Sequence, residues 1–311
     1  MRILVTGGAG FIGSHVVDES IAAGHDVAVV DNFWSHGGGR RANVNPKAKL
    51  HELDIRDKEF QRIVAAFRPD VLSHHAAQHS VAISTADPDY DADVNVRGLI
   101  NVLEACAMHG VKKVVFASSA ATYGTPQYLP IDERHPQLPE SPYGITKMVA
   151  EHYLRYYEAS KGLKYTALRY GNVYGPRQDP NGEAGVIAIF TGRIIRGEPI
   201  RVDWDGEQRK DYVYVGDIAK ANLIALGQGD DHIFNIGTGI GTSVNALHAQ
   251  IATAVGRDVP VVNAPKRAGD VRTCVFAIDK ARERLGWEPS TSLAEGIAKT
   301  AAYFKSATAA S

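Results

Sequence analysis

The sequence predicts an α/β protein built on a doubly wound, mostly parallel sheet, with a smaller C-terminal domain interleaved with it. Three observations carry this. Met1 to Thr6 (MRILVT) is a short apolar run, followed at once by Gly7-Gly8-Ala9-Gly10-Phe11-Ile12-Gly13 and a helical pattern from Ser14 to Ala23. A second strand-like run, Asp26 to Asp31, ends in a carboxylate. Further apolar runs then alternate with helical patterns, the rhythm of βαβ units.

The first unit reads as a dinucleotide cradle. Gly7 permits the tight turn, Gly10 lets the backbone approach a pyrophosphate, and Gly13 allows close packing of helix on strand. The backbone at Phe11 and Ile12 opens the helix, whose free N–H groups and partial positive charge favour phosphates. Asp31, with Asn32 beside it, stands where a carboxylate holds a ribose diol. A 2′-phosphate would be repelled there, so NAD is favoured over NADP, although Arg40 and Arg41 are within reach of an adenosine.

A second focus is Ser141-Pro142-Tyr143-Gly144-Ile145-Thr146-Lys147. Ser141 suits an N-cap and Pro142 the first helical position. Tyr143 and Lys147 lie one turn apart, so the ammonium sits near the phenol. A neighbouring cation favours phenolate and brings a group that titrates near pH ~10 toward neutral-pH proton transfer. The run Val114 to Ser119 is a buried strand that delivers Ser119 at its carboxyl end, where open α/β sheets place ligands. Ser119, Tyr143 and Lys147 are the candidate catalytic set.

Composition narrows the class. The chain has 311 residues, 44% hydrophobic and 22% charged, enough for a sizeable core. Lys+Arg is 34 against Asp+Glu 35, a net charge of -1, which points to neither a nucleic-acid nor a membrane surface. Cys106 and Cys274 are far apart without CxxC spacing, and glycines break the N-terminal apolar run, so a cytoplasmic location is expected. His74, His75 and His79 lack the Cys or carboxylate company of a metal site, and no metal is expected.

The glycine spacing GxxGxxG together with Tyr143-x-x-x-Lys147 resembles the extended short-chain dehydrogenase/reductase (NAD-dependent epimerase/dehydratase) family, in its UDP-glucose 4-epimerase-like branch. The resemblance implies a Rossmann-like domain over 1–174, to which 211–240 return, and a nucleotide-sugar domain over 175–210 and 241–311. It implies that Asp54 and Ile55 face the adenine, that Ala76, Ala77 and Gln78 lie against the cofactor, and that Asn95 braces the site. It places Tyr170 beside the nicotinamide and Asn172 on the diphosphate. Gly185 and Val186 would open a helix toward the nucleotide, and Ile200 and Val202 would flank the uracil. Arg267 would reach the diphosphate and Asp270 the uridine ribose, with Cys274 lining the pocket near C2 of the hexose. The family has Arg before the Asp-Tyr pair, whereas this chain has Arg209-Lys210-Asp211-Tyr212. Either Lys210 serves as a point charge or Arg209 is re-aimed.

Dehydratases and decarboxylases of this family carry an acidic residue just after the Ser or Thr. Here Ala120 and Ala121 follow Ser119, so oxidation followed by re-reduction is the simpler chemistry. The implied activity is NAD-dependent 4-epimerisation of a UDP-hexose, the N-acetylated pair included as an option, by a homodimer. The alternatives are another nucleotide-sugar epimerase, a net oxidoreductase acting for example on a UDP-uronic acid, and a non-catalytic NAD-binding regulator.

Overall fold

The computed structural model describes residues 1–35, 37–180, 185–266 and 271–309. The chain opens with β1 (Arg2–Thr6), α1 (Phe11–Ala22), β2 (Asp26–Asp31) and β3 (Lys49–Glu52), then α2 (Glu59–Phe67) and β4 (Val71–His74). Three helices follow, α3 (Val81–Ala86), α4 (Pro88–Ala92) and α5 (Gly98–Met108), the last two joined by a widened helical turn at Asp93–Arg97. Next come β5 (Lys113–Ser119), α6 (Pro142–Lys161), β6 (Lys164–Tyr170) and β7 (Asn172–Tyr174). The C-terminal part runs α7 (Val186–Arg196), β8 (Ile200–Asp203), β9 (Arg209–Tyr214), α8 (Val215–Ala225), β10 (His232–Ile236), β11 (Gly241–Ser243) and α9 (Val244–Val255). It ends with β12 (Val261–Ala264), β13 (Thr273–Cys274) and α10 (Leu293–Ala309).

Seven strands form one sheet in the order β10-β6-β5-β4-β1-β2-β3, every pair parallel. The order reverses between β1 and β4, which opens a crevice at the strands' carboxyl ends. Parallel strands are covered on both faces and so read as continuous apolar runs. Alternate residues accordingly feed two cores: Leu4, Leu72 and Val114 pack with Leu99, Leu103 and Leu154 on one face, while Ile3, Val5 and Val115 pack with Val17, Ile218 and Trp287 on the other. A third core, around Phe190, Ile194, Leu247 and Ile297, holds the cap together.

Two boundaries differ from the expectation. Asp211–Tyr214 belong to β9, which pairs with β7, β11 and β13 in the cap, so the return to the main sheet starts at Val215. Ala281, Leu285 and Trp287 pack into the first domain's core although they lie in the span assigned to the cap. Long-range pairing decides both, and local pattern carries no trace of it.

Candidate active site

At the glycine loop, Gly7 adopts φ +68°, and a Cβ there would lie 2.6 Å from the Ala76 nitrogen. A Cβ on Gly13 would stand 2.2 Å from the Gly7 carbonyl oxygen, so any side chain would push α1 off the loop. Gly10 is the N-cap of α1, and no side chain caps this helix start. The first-turn N–H groups, from Phe11 to Gly13, are therefore directed at the crevice as an anion cradle. Asp31 is 8% exposed. Its carboxylate accepts from the N–H of Ala9 at 3.0 Å and of Phe33 at 2.9 Å, and burial pushes its pKa up while these bonds oppose the shift. Each oxygen keeps acceptor capacity for a diol.

Beside Asp31, Asn32 donates to Asp54 at 2.9 Å, and Arg56 grips the same carboxylate through Nε at 2.9 Å and Nη2 at 2.7 Å. Burial works against ionisation of Asp54, but the Arg56 and Asn32 hydrogen bonds prevail and hold its pKa down to about 2. Ile55 departs from the expectation: its side chain is buried against Gly98, and its carbonyl accepts from Asn101 at 2.7 Å.

Ala76 and Ala77 follow β4 beside the glycine loop, small enough for close backbone approach. The Gln78 side chain folds back to donate to the Ser80 carbonyl at 2.9 Å and to Asp91 at 2.7 Å, which leaves only its backbone for the crevice. The brace is Asn95. It sits on the widened turn between α4 and α5, accepts from the Gln78 N–H at 2.9 Å and donates to the Gln78 carbonyl at 2.9 Å. A widened turn rotates one residue out of helical register, a device common at functional sites. Asp91 and Thr146, which complete this buried network at 2.9 Å, carry no sequence signal beyond polarity.

The start of α6 forms as its residues dictate. Ser141 Oγ accepts from the Gly144 N–H at 3.1 Å and Pro142 occupies the first turn. Lys147 is buried; its Nζ donates to the Ala117 carbonyl of β5 at 2.9 Å and lies 5.8 Å from the centroid of the Tyr143 ring. Burial lowers the Lys147 pKa to about 8, with Asp91 opposing the shift. Ser119 ends β5, where its Oγ accepts from the Ala121 N–H at 3.1 Å, and the Ala121 carbonyl would lie 2.5 Å from a Cβ on Gly144. Ser119 thus stands at the end of β5, and the first turns of α6, which carry Tyr143 and Lys147, pack against the same strand end through Ala117 and Ala121.

Tyr170 pairs with Ser119 across β5 and β6, but its hydroxyl is buried against Asn222, whose Nδ2 donates to it at 2.8 Å. It therefore offers the crevice its backbone rather than its phenol.

Beyond this strand end lies a cavity of about 240 Å³ lined by Asn172, Gly185, Val186, Arg201, Gln208 and Lys210, among others. Asn172 donates to the Asp211 carbonyl at 3.3 Å. Gly185 caps α7, whose first residue is Val186. Ile200 and Val202 correct the expectation: both side chains are buried in the cap core, and the period of two turns Arg201 and Asp203 to the cavity. On β9 the same alternation turns Lys210 and Tyr212 to the cavity, and Arg209 is not among its lining residues. Cys274 pairs with Lys210 across β13 and β9 and packs beside Tyr123 and Phe276. Arg267 and Asp270 lie outside the described residues.

The model of the NAD dependent epimerase/dehydratase family matches residues 3–237. The chain belongs to this family. Its epimerase/dehydratase relatives include UDP-glucose 4-epimerase of Mycolicibacterium smegmatis, 44% identical over 98% of this chain and 99% of the relative. Among solved structures, the chain is similar to UDP-glucose 4-epimerase of Thermotoga maritima with UDP-glucose, at 49% identity and TM-score 0.96 over 99% of this chain and 100% of that one. It is also similar to UDP-glucose 4-epimerase of Thermus thermophilus in complex with NAD, at 45% identity and TM-score 0.93 with the same coverage. The cradle, Asp31 and the crevice fit the cofactor in the family's name. No helix among the described residues is long and apolar enough to cross a membrane.

Proposed function

We propose that this chain is an NAD-dependent UDP-hexose 4-epimerase that interconverts UDP-glucose and UDP-galactose through a transient 4-keto sugar. One observation carries the reading: buried Lys147, tied to the Ala117 carbonyl of β5, lies 5.8 Å from the centroid of the Tyr143 ring on the helix start that packs at the β5 end carrying Ser119. The substrate diphosphate would meet the amides at Gly185 and Val186, the Asn172 amide and Lys210 as a point charge. Lysine lacks the bidentate fork of arginine. By family resemblance Arg267 and Asp270 complete the grip.

NAD, held by the Gly7 to Gly13 cradle and Asp31, would supply a reversible hydride acceptor for C4 of the sugar. Tyr143 takes the 4-hydroxyl proton and later gives it back. Ser119 polarises the 4-oxygen by hydrogen bonding, and Lys147 holds the nicotinamide ribose and favours phenolate. Lacking the acid that follows the Ser or Thr in dehydratases, the site has no positioned group at Ala120 or Ala121 to drive loss of water, so oxidation at C4 followed by re-reduction at C4 is the simpler course. Incubation with a panel of UDP-sugars should yield the 4-epimers with no build-up of reduced-nicotinamide absorbance. Accumulating NADH would replace this reading with a net oxidoreductase.

Cys274 carries the reading on specificity. It replaces the bulky residue that closes the hexose pocket near C2 in relatives restricted to unmodified sugars, and leaves room for about an acetamido group. The wild type should therefore also interconvert UDP-GlcNAc and UDP-GalNAc, and Cys274→Tyr should lose that pair by on the order of 10² while keeping UDP-glucose turnover. A wild type confined to UDP-glucose and UDP-galactose would show that another group closes the pocket.

A homodimer is supported by α6, whose outward face carries Ile145, Met148, Val149 and Tyr156 at helical spacing, with Ile145 45% and Tyr156 59% exposed. Paired with Val96 and Ile100 of the adjoining helix, this stripe would form half of a four-helix bundle. Sizing at micromolar concentration should give twice the chain mass, and Ile145→Glu with Tyr156→Glu should halve it. The two free cysteines, Cys106 buried and Cys274 half-buried, fit a reducing cytoplasm.

A further inference from the structure

Trp204, just past β8, has φ +59°. A bulky side chain in the left-handed region is a genuine outlier, and glycine would take the turn freely, as Gly206 does at φ +73° two residues on. Such strain persists where the surroundings over-determine it. Here two cations contact the indole: Lys266 Nζ is 4.3 Å from a ring centroid and the Arg272 guanidinium carbon 4.7 Å. Arg272 is held again by the next residue, donating to both Asp205 oxygens at 2.7 and 2.9 Å.

These contacts reach the cavity through two hydrogen bonds. The Arg209 N–H donates to the Arg272 carbonyl at 2.8 Å, and Lys210 Nζ donates to the Val271 carbonyl at 3.0 Å. The segment that Trp204 grips is thus the one on which the cavity's lysine rests. Gln208 closes the same turn and is 6% exposed. Gln208 is one of the residues that line the cavity; its Nε2 donates to the Asp203 carbonyl at 3.2 Å, while its buried Oε1 has no hydrogen-bond partner among the described residues. A buried acceptor left without a donor is costly, and a ligand that brings the donor removes the cost.

We infer that Trp204 is a positioning residue for the nucleotide subsite: its contacts with two cations preset the Asp203–Lys210 turn so that Gln208 Oε1 and Lys210 Nζ face one ligand. That ligand must carry a hydrogen-bond donor and an anion together, as a nucleoside diphosphate does, and the inference therefore rests on the UDP-sugar reading. Trp204 is not among the residues that line the cavity, so its effect is on affinity through its neighbours, whereas Ser119, Tyr143 and Lys147 stand on the other domain.

The test titrates UDP into the purified holoenzyme by calorimetry, alongside steady-state kinetics and thermal melts. Trp204→Gly should raise the UDP Kd and the UDP-glucose KM about tenfold, the size of one displaced charge-assisted contact, with kcat within about twofold. Its melting temperature should not fall, because glycine relieves the strained turn. Trp204→Phe, which keeps an aromatic face for the cations, should restore Kd to within about twofold of wild type. Gln208→Leu should weaken UDP similarly, and adding it to Trp204→Gly should cost less than the two single losses combined, since both act on one contact set. Wild-type UDP affinity in Trp204→Gly overturns the inference, as does a parallel fall of kcat and melting temperature that Trp204→Phe does not repair. A wild type that binds no UDP overturns the UDP-sugar reading and this inference together, and so is distinguishable from failure of the inference alone.

Discussion

Tyr143→Phe is expected to bind NAD and UDP-glucose with near wild-type affinity and to lose 4-epimerase turnover by on the order of 10²–10⁴, the contribution of a positioned acid–base group. The substitution removes one oxygen and leaves the ring, which stays packed at the start of α6. The alkaline limb of the pH profile follows from the partner. Lys147 has its pKa lowered to about 8 by burial, so its cation is lost as pH rises through that value. With the cation goes the charge that favours the phenolate, and kcat/KM should fall above about pH 8 while rising limbs at lower pH report other groups. Measured turnover of Tyr143→Phe within a few-fold of wild type would remove the phenol from the mechanism.

Glu151→Ala is expected to be the most damaging substitution away from the crevice. Glu151 and Arg169 are 1% and 2% exposed and form a two-pronged pair, Nε to Oε1 at 2.8 Å and Nη2 to Oε2 at 2.6 Å. Ser118 adds a bond to Oε1 at 2.7 Å and Gln137 one to Oε2 at 3.0 Å, so the carboxylate's buried lone pairs are satisfied. Arg169 Nη1 also donates to the Tyr123 hydroxyl at 2.7 Å, which in turn donates to Asn235 at 2.7 Å. Removing the carboxylate strands a guanidinium in the interior, at a cost of about 3–5 kcal/mol. The melting temperature should drop by on the order of 10 °C. The pair is a poor source of net stability, so Glu151→Leu combined with Arg169→Met should recover most of the loss. A double variant as unstable as Glu151→Ala would mean that the network, and not the stranded charge, sets the cost.

The pair also bears on catalysis. Ser118 adjoins Ser119 at the end of β5, and Glu151 lies two turns beyond Tyr143 on α6, so one buried carboxylate fixes strand and helix relative to each other. Neither residue has a motif to mark it. A buried ion pair is assembled from positions 18 apart in sequence, and only the packing of α6 on β5 and β6 brings them together.

What the chain determined by itself is whatever rests on local geometry. The Gly7 to Gly13 cradle, the Ser141 cap with Pro142 in the first turn, the Tyr143 and Lys147 spacing, and the parallel order of apolar runs each follow from backbone sterics or helix and strand periods. Tertiary structure decided which face each strand residue presents. Ile200 and Val202 looked available to a nucleotide, yet the cap core claims them and hands the cavity to Arg201 and Asp203. Tyr170 and Ile55 likewise surrendered their side chains to the core, and on β9 it is Lys210 rather than Arg209 that joins Arg201 in lining the cavity. A strand's period of two states that neighbours face opposite ways; which way is inward is set by the sheet it joins and the helices that cover it, an energy spread over distant residues.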